Sequence, residues 1–141
     1  MGNLYSLDSN IVIDVLREKE SALNFLRSLT QAGNRVSICP IVYYEVMRGF
    51  LNANASKRVE QFNRLYEAML KLPFDERAIM EAVRVYVNLP KGQRIEDNDI
   101  YIAAIAMVND CTLVTANTKH FGRIEGLSIV DWHNDEIFSK Q

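Results

Sequence analysis

The chain has 141 residues, of which 48% are hydrophobic and 24% are charged, and its formal net charge is -2. These values are typical of one folded domain with a real core and exclude a disordered chain. The charge balance also excludes a broad basic surface that holds nucleic acid by charge alone, but it leaves room for a local basic groove.

Short apolar strands alternate with helices in the first half of the chain. In chain order, the predicted elements are a strand at 3–7, helices at 11–16 and 21–31, a strand at 36–39, and helices at 41–51 and 56–70. Helix-capping residue types at 8–10 and a glycine after residue 31 mark two of the helix ends. Pro40 suits the start of the third helix, because its missing N–H is not needed there.

The same alternation continues in the second half. In chain order, the predicted elements are an edge strand at 72–74, a helix at 76–89, a loop at 90–94, a helix that ends at 108, strands at 112–115 and 127–130, and a polar, frayed tail from 131. Asp75 is expected to cap the first of these helices, with Ile79, Ala82, Val83 and Tyr86 facing the core.

The helix that ends at residue 108 is the element around which the rest is expected to pack. Its apolar residues recur at helical spacing and cover most of its circumference: Ile100, Ile102, Ala103, Ala104, Ile105, Ala106, Met107 and Val108. Such a helix is covered on more than one side. Carboxylates crowd its first turn, and Asn109 and Asp110 stop it before the next strand.

Strands that alternate with helices predict an α/β fold of three α/β/α layers around a short central parallel sheet, in one domain over residues 1–141. In such sheets the functional crevice lies outside the carboxyl ends of the strands. Cys39 and Cys111 both lie in apolar surroundings and are expected to be reduced core residues, which favours the cytoplasm. No apolar run is long enough for a membrane span, and the first residues lack a signal-peptide pattern.

Four polar side chains are predicted at that edge of the sheet. Asp8 ends the first strand and Glu45 lies in the helix after the second. Asp99 lies in the first turn of the central helix, and Asn117 follows the strand at 112–115. Converging carboxylates repel one another unless a shared proton or a bound cation neutralises them. Oxygen ligands predict a hard cation, Mg²⁺ first and Mn²⁺ second, which suits metal-assisted hydrolysis of a phosphodiester.

Each of these residues also has a purely structural interpretation. Asp8 can simply cap the following helix, and Asp99 can simply complement the positive end of its helix dipole. Glu45 is the only charge in an apolar run and could lie on a surface turn, while asparagine after a strand is common turn chemistry. The functional interpretation therefore depends on all four residues lying at corresponding topological positions.

These residues carry a resemblance to a known family. The segments in question are Leu-Asp-Ser-Asn-Ile at 7–11, Pro-Ile-Val-x-x-Glu at 40–45, Ile-x-x-Asn-Asp-x-x-Ile-Ala-Ala at 95–104, Leu-Val-Thr-Ala-Asn-x-x-x-Phe at 113–121, Gly-Leu at 126–127 and Trp132. Together they resemble a PIN domain and, more narrowly, the VapC-type toxins of bacterial and archaeal toxin–antitoxin pairs. The resemblance spans residues 4–132.

The resemblance implies a compact α/β/α fold and Mg²⁺- or Mn²⁺-dependent endoribonuclease activity. It also implies a homodimer that is inhibited by a cognate antitoxin laid across the active site. By motif match, Asp8, Glu45 and Asp99 become metal ligands. Asn117 takes a fourth position that is aspartate in many relatives, which favours a role in positioning water or phosphate over binding a second metal. Glu96 stands where relatives often have glycine.

Substrate contacts are expected from the residues around these carboxylates. Arg48 lies about one helical turn after Glu45, and Lys91 and Arg94 lie in the loop before Asp99. They could form a basic rim for an RNA backbone, or they could be ordinary solvated charges. Thr115 can hydrogen-bond a carboxylate or be satisfied by the backbone. His120 is expected to have an ordinary polar role.

Two other classes of function compete with the metal-dependent ribonuclease. A non-catalytic PIN-like module would bind RNA or a partner without cutting, but the three intact carboxylates argue against it. Phosphoaspartate receivers and aspartyl phosphatases also place aspartates at strand ends. The phosphatase pattern needs a second aspartate where Asn10 stands, and the receiver pattern needs a strand-end aspartate and lysine that segments 36–39 and 113–115 lack.

Overall fold

Residues 2–133, which the computed structural model describes, form five short strands and seven helices. In chain order they are β1 (Leu4–Leu7), α1 (Ser9–Leu16), α2 (Glu20–Gln31), β2 (Arg35–Ile38), α3 (Pro40–Asn52), α4 (Ser56–Glu67), β3 (Leu70–Lys71), α5 (Glu76–Asn88), α6 (Asp97–Val108), β4 (Cys111–Val114), α7 (Thr118–Phe121) and β5 (Ser128–Val130). The predicted polar tail beyond residue 133 lies outside the described residues.

The strands form one parallel sheet in the order β3-β2-β1-β4-β5. β1 is central, and its Ser6 lies opposite Ser37 on one side and Leu113 on the other. Three consecutive residues of β1, Tyr5, Ser6 and Leu7, are all buried. Because successive strand residues point to opposite faces, both faces of the sheet are covered. The predicted α/β fold with a central parallel sheet is confirmed.

α6 is buried on nearly every side, as its composition predicts. Five consecutive residues of this helix, 102–106, have no exposed surface. Five residues span more than one helical turn, so no face between them is open to solvent. The helix packs against α5, α3 and β4, and its central position fixes the place of its first turn.

The chain around residue 70 differs from the prediction. α4 was expected to run to residue 70 and the edge strand to cover 72–74, but the helix ends at Glu67 and β3 is Leu70–Lys71. The helix ends early because Leu70 and Lys71 pair with β2, and the strand stops before Pro73, which has no N–H to donate to a ladder. The residues before it pair with β2 instead, and the Leu72 N–H donates to the Ile38 carbonyl at 3.2 Å.

The orientation of α5 also differs from the prediction. Asp75 does cap this helix, since its side chain accepts from the Ala78 N–H at 3.0 Å. Ala82 faces the core as expected, but Ile79, Val83 and Tyr86 are 42%, 51% and 45% exposed. The buried stripe runs through Ala78, Ala82 and Val85, because α5 packs against α6 along its small residues.

The cysteines and the helix lengths agree with the expectations from composition. Cys39 and Cys111 are free and buried, and burial raises the pKa of both thiols to about 11. Both thiols are therefore protonated at neutral pH. Among residues 2–133, no helix has both the length and the apolar character needed to cross a membrane.

Candidate active site

The candidate site lies where the sheet order places the carboxyl ends of β1 and β4 side by side. The chain leaves β1 and returns as β2 on one side of it, whereas β4 and β5 lie on the other side of β1. A crevice forms at such a switch point in open parallel sheets. Asp8 follows β1 directly, and its N–H donates to the Val114 carbonyl at 3.0 Å. Thr115 follows Val114 directly, just after the end of that neighbouring strand.

Asp8 is buried and held by several hydrogen bonds. It is 4% exposed. Its Oδ1 accepts from the Ser9 N–H at 2.8 Å, so the helix-capping role is real. Its Oδ2 accepts from the Thr115 hydroxyl at 2.7 Å and from Asn10 Nδ2 at 3.4 Å. Burial raises the pKa of Asp8, and the hydrogen bonds from Thr115 and Ser9 oppose that rise.

Glu45 lies on α3 and is partly buried beside Asp8. Burial is the largest cause that raises its pKa, and the negative charge of Asp8 raises it further. A hydrogen bond from Asn98 Nδ2 to Oε2 at 3.3 Å opposes the rise, as do Ser9 and the positive charge of Arg48. Glu45 therefore belongs to the crevice and not to an isolated surface turn.

Asp99 lies in the first turn of α6 and is also partly buried. Burial, and then the charges of Asp8, Glu45 and Glu96, raise its pKa to about 6. A carboxylate that only complements a helix dipole is stabilised in its charged form, which lowers the pKa. The shift in the opposite direction shows that burial and like charges dominate at Asp99.

Asp8, Glu45 and Asp99 therefore form one electrostatically coupled carboxylate cluster, in which Asp8 raises the pKa of both other members. Within residues 2–133 no group of three histidine, cysteine or carboxylate side chains is arranged so that it could hold a metal ion by itself. Mg²⁺ does not need such a group, because it keeps several waters and uses one or two carboxylates directly. The donor set of the carboxylate cluster fits a hydrated Mg²⁺, whose charge would relieve the repulsion.

Asn117 connects to the carboxylate cluster through Thr115. Its backbone N–H donates to the Thr115 hydroxyl oxygen at 3.0 Å, and that hydroxyl donates in turn to Asp8. Its side-chain Nδ2 lies 3.1 Å from Nδ1 of His120. Asn117 is the N-cap position of α7, but its side chain makes no capping hydrogen bond. The turn interpretation alone therefore does not account for this side chain.

Of the four predicted substrate contacts, two lie beside the carboxylates and two lie in the loop before α6. Thr115 is fully buried and bonded to Asp8. Arg48 is close enough to lower the pKa of Glu45, and its guanidinium lies 4.9 Å from the ring centroid of Tyr44. The Arg94 guanidinium lies 4.4 Å from the Tyr86 ring centroid, on α5, and Lys91 is exposed in the preceding turn.

Several supporting residues were missed by sequence reasoning. They are the side chains that hold the carboxylates or Asn117 in place: Ser9, Asn10, Asn98 and His120. Their position in the sequence could have indicated this supporting role, because three of them lie within two residues of Asp8 or Asp99. Asn10 also accepts from the Ala116 N–H at 3.4 Å and so connects α1 to the segment after β4.

Comparisons with known proteins agree with this fold. Residues 5–127 match the family model of the PIN domain. The chain is 31% identical over 128 residues to Ribonuclease VapC1 of Methanocaldococcus jannaschii, covering 89% of this chain and 85% of the relative. It is 28% identical over 131 residues to Ribonuclease VapC1 of Haemophilus influenzae (strain R2866), covering 92% and 98%.

Solved structures of similar proteins have the same backbone fold. VapBC2 from Rickettsia felis, bound to a DNA fragment from its promoter, has a TM-score of 0.82 at 27% identity and covers 92% of this chain and 98% of its own. VapBC-1 from nontypeable Haemophilus influenzae has a TM-score of 0.80 at 27% identity, with 93% and 99% covered. This chain therefore belongs to the PIN-domain family, among its VapC-type members.

Proposed function

We propose that this chain is a metal-dependent endoribonuclease that hydrolyses RNA phosphodiester bonds and acts as the toxin of a toxin–antitoxin pair. The observation that carries the proposal is the carboxylate cluster at the carboxyl edge of a parallel sheet, with the pKa of all three members raised. Several relatives that match most of the chain are named ribonucleases, which supports RNA as the substrate.

The cofactor in this proposal is Mg²⁺, with Mn²⁺ as the second choice. Asp8, Glu45 and Asp99 would hold it, because hard divalent cations select oxygen ligands. When bound, such an ion orients a phosphate oxygen and lowers the pKa of an attacking water. Its positive charge also favours the ionised form of the carboxylate cluster, which burial and mutual repulsion disfavour.

The protein's own contribution is to hold the carboxylates in fixed positions. Ser9 and Thr115 each bond a different oxygen of Asp8, so that carboxylate cannot rotate freely. Hydrogen bonds from the side chains of Asn98 and Ser9 hold the Glu45 carboxylate. Pre-oriented groups need little rearrangement when charge develops during the reaction. Asn117 is proposed to position the attacking water or the phosphate.

Arg48 is the proposed contact for the RNA backbone nearest to the carboxylate cluster. It is exposed, and its charge acts on Glu45. A cation at the rim offsets the repulsion between the carboxylates and an incoming phosphate, and guanidinium groups bind phosphate oxygens in pairs. Lys91 and Arg94 are proposed to contact RNA further from the reacting bond, along the loop before α6.

Two protein partners are also proposed, in the cytoplasm. An antitoxin is supported by the solved relatives, which are VapBC assemblies. A second copy of the chain is supported by the outer face of α5, which exposes five apolar residues at helical spacing: Ile79, Met80, Val83, Tyr86 and Val87. Part of this outer face borders an apolar groove of about 440 Å³ against α6. Exposed apolar patches of this kind mark protein interfaces.

The test of the ribonuclease proposal is cleavage of a mixed structured-RNA substrate by purified, antitoxin-free protein in Mg²⁺, Mn²⁺ or EDTA. Asp8→Asn and Asp99→Asn are compared with Asp97→Asn, which removes an equal charge from the same helix turn. We expect metal-dependent cutting by the wild type and Asp97→Asn and at least about a hundredfold loss in the other two variants. Cutting that persists in EDTA, or in both site variants, would contradict the proposal.

A further inference from the structure

His120 is joined to the carboxylate cluster by an unbroken series of hydrogen bonds. Its Nδ1 lies 3.1 Å from Asn117 Nδ2. The Asn117 N–H donates to the Thr115 hydroxyl oxygen, and that hydroxyl donates to Asp8 Oδ2. His120 itself is only partly buried, and it lies on the short helix α7 that follows β4. The ring thus lies three hydrogen bonds from Asp8.

The atoms that meet in the first of these bonds define its direction. An asparagine Nδ2 carries two hydrogens and can only donate. With Nδ2 facing the ring, as it does in this structure, His120 Nδ1 has to be the acceptor, and the ring carries a proton on Nε2. Within residues 2–133, Asn117 Oδ1 has no hydrogen-bond donor, so the carboxamide oxygen is left available.

We propose that His120 is a positioning residue that fixes the Asn117 carboxamide so that its oxygen, and not its nitrogen, is free to act. This inference rests on the proposed function. If Nδ1 carried a proton, the carboxamide would turn its oxygen to the ring and leave its NH₂ group free. An NH₂ group cannot accept a hydrogen bond from a water and cannot ligate a cation, whereas the oxygen can do both.

The inference also explains what an asparagine needs in order to present an oxygen at this position. A carboxylate presents an oxygen in either orientation of its plane, but a carboxamide does so in only one of two. An asparagine at this position therefore needs a partner that distinguishes the carboxamide oxygen from the NH₂ group. A ring nitrogen held as an acceptor performs that task, and His120 lies one helical turn away from Asn117.

The direct test is nuclear magnetic resonance of the His120 imidazole nitrogens in the full-length, antitoxin-free protein, compared with Asn117→Ala. We expect wild-type His120 at pH 8 to carry its proton on Nε2, with Nδ1 as a bare acceptor. Asn117→Ala should shift the Nδ1 resonance and bring the two tautomers closer in population. A proton on Nδ1 in the wild type, or resonances that do not change in Asn117→Ala, would overturn the inference. This readout needs neither RNA nor metal, so it is independent of the proposed ribonuclease activity.

A double-mutant cycle on cleavage of the structured-RNA mixture tests the role in the reaction. His120→Leu should lower the initial rate about fivefold to tenfold, the value of one hydrogen bond. His120→Asn, whose Oδ1 can accept at about the position of Nδ1, should recover most of that loss. In the Asn117→Ala background, His120→Leu should change the rate less than twofold. An equal loss in both backgrounds would show that His120 acts independently of Asn117 and would overturn the positioning role.

Discussion

The Thr115 side chain joins the ends of β1 and β4 at the site. Its hydroxyl donates to Asp8 and accepts from the Asn117 N–H, and the side chain is fully buried. Thr115→Val keeps the shape and removes both bonds. We expect a loss of about 1–3 kcal/mol in the free energy of unfolding, because the part-buried Asn117 N–H loses its partner and the buried Asp8 carboxylate loses its shortest hydrogen bond. The pKa of Asp8 should rise further.

Chemical denaturation and titration of Asp8 by nuclear magnetic resonance measure both effects. Thr112→Val is the matched control, since Thr112 lies on β4, which ends directly before Thr115, and its hydroxyl forms no hydrogen bond within the described residues. The control should change stability by less than about 0.5 kcal/mol. Equal stability of Thr115→Val and Thr112→Val would mean that the Thr115 hydroxyl does not support the site.

Substitution of Asp99 is predicted to raise the free energy of unfolding, whereas Thr115→Val lowers it. The Asp99 pKa of about 6 lies above the unfolded value near 4, so the native state holds the proton more tightly. This contribution to stability is fully present below about pH 4 and is lost as pH rises through about 6. At pH 7 the metal-free protein therefore carries a destabilising charge that Asp99→Asn removes.

We expect Asp99→Asn to raise the free energy of unfolding of the metal-free protein by about 1 kcal/mol at pH 7, after solvent screening at this half-buried position. The gain should vanish below about pH 4. Asp97→Asn should instead lower stability by about 0.3–1 kcal/mol, because it removes a favourable charge from the helix N-terminus. Urea unfolding in EDTA at several pH values measures the effect of each substitution on stability. A loss of stability in Asp99→Asn at pH 7 would contradict the prediction.

At this scale the sequence could predict the carboxylates but not all of their partners. Asp8 and Glu45 were identifiable because the carboxyl ends of parallel strands meet at one edge. The hydrogen bond from Asn98 to Glu45 depends on how α6 is rotated about its own axis, which spacing along the chain does not specify. His120 was assigned an ordinary polar role because its bond to Asn117 depends on the short helix α7.

At the scale of elements, α5 shows why helical periodicity is ambiguous. Apolar residues lie on two faces of this helix, and either face satisfies the spacing rule. Packing against α6 selects the face with Ala78 and Ala82, because small residues allow the two helices to approach closely. The larger side chains, Ile79, Val83 and Tyr86, are left on the outer face.

The outer face of α5 leads to a prediction about assembly. If a second copy covers it, Val83→Asp places a charge in an apolar interface at a cost of several kcal/mol. Light scattering after gel filtration should find a dimer for the wild type and a monomer for Val83→Asp. Leu51→Asp is the control, since Leu51 is also exposed but lies on α3, and it should remain dimeric. A wild-type monomer, or a dimeric Val83→Asp, would rule out this interface.

The end of α4 marks another limit of sequence patterns at this scale. The apolar residues that follow Glu67 continue a helical pattern, so the helix was predicted to reach residue 70. Pairing with β2 takes these residues instead, and Leu70 lies opposite Ser37. A tertiary contact therefore overrides local spacing, which is common where a short edge strand follows a helix.

At the scale of the whole molecule, the sheet topology assembles the site from distant parts of the chain. Thr115 and Asp8 are 107 residues apart in sequence, and Asn98 and Glu45 are 53 apart. The alternation of strands and helices was enough to predict a parallel sheet, and the strand-end rule then predicted the site. The pairing order of the strands came from the structure, since the chain pattern alone does not specify it.

Because the carboxylate cluster joins elements from three parts of the chain, a bound cation should stabilise the whole fold. Binding to the native state alone adds about 2.7 kcal/mol when Mg²⁺ is one hundred times its Kd. For a domain of this size we expect the Tm to rise by roughly 5–10 °C. Scanning calorimetry in Mg²⁺ and in EDTA measures the shift. At the same Mg²⁺ concentration the shift should fall to about half or less in Asp8→Asn, which is expected to bind the ion at least about tenfold more weakly. An equal shift in that variant would place the ion elsewhere.

The measurement that tests the central claim most directly is calorimetric titration of Mg²⁺ into metal-free, antitoxin-free protein at pH 7. The claim is that Asp8, Glu45 and Asp99 together hold one functional cation site. Wild type and Asp97→Asn should bind Mg²⁺ with equal affinity, while Asp8→Asn and Asp99→Asn should bind at least about tenfold more weakly. Unchanged affinity in both site variants would show that the carboxylate cluster does not hold the metal and would contradict the proposed mechanism.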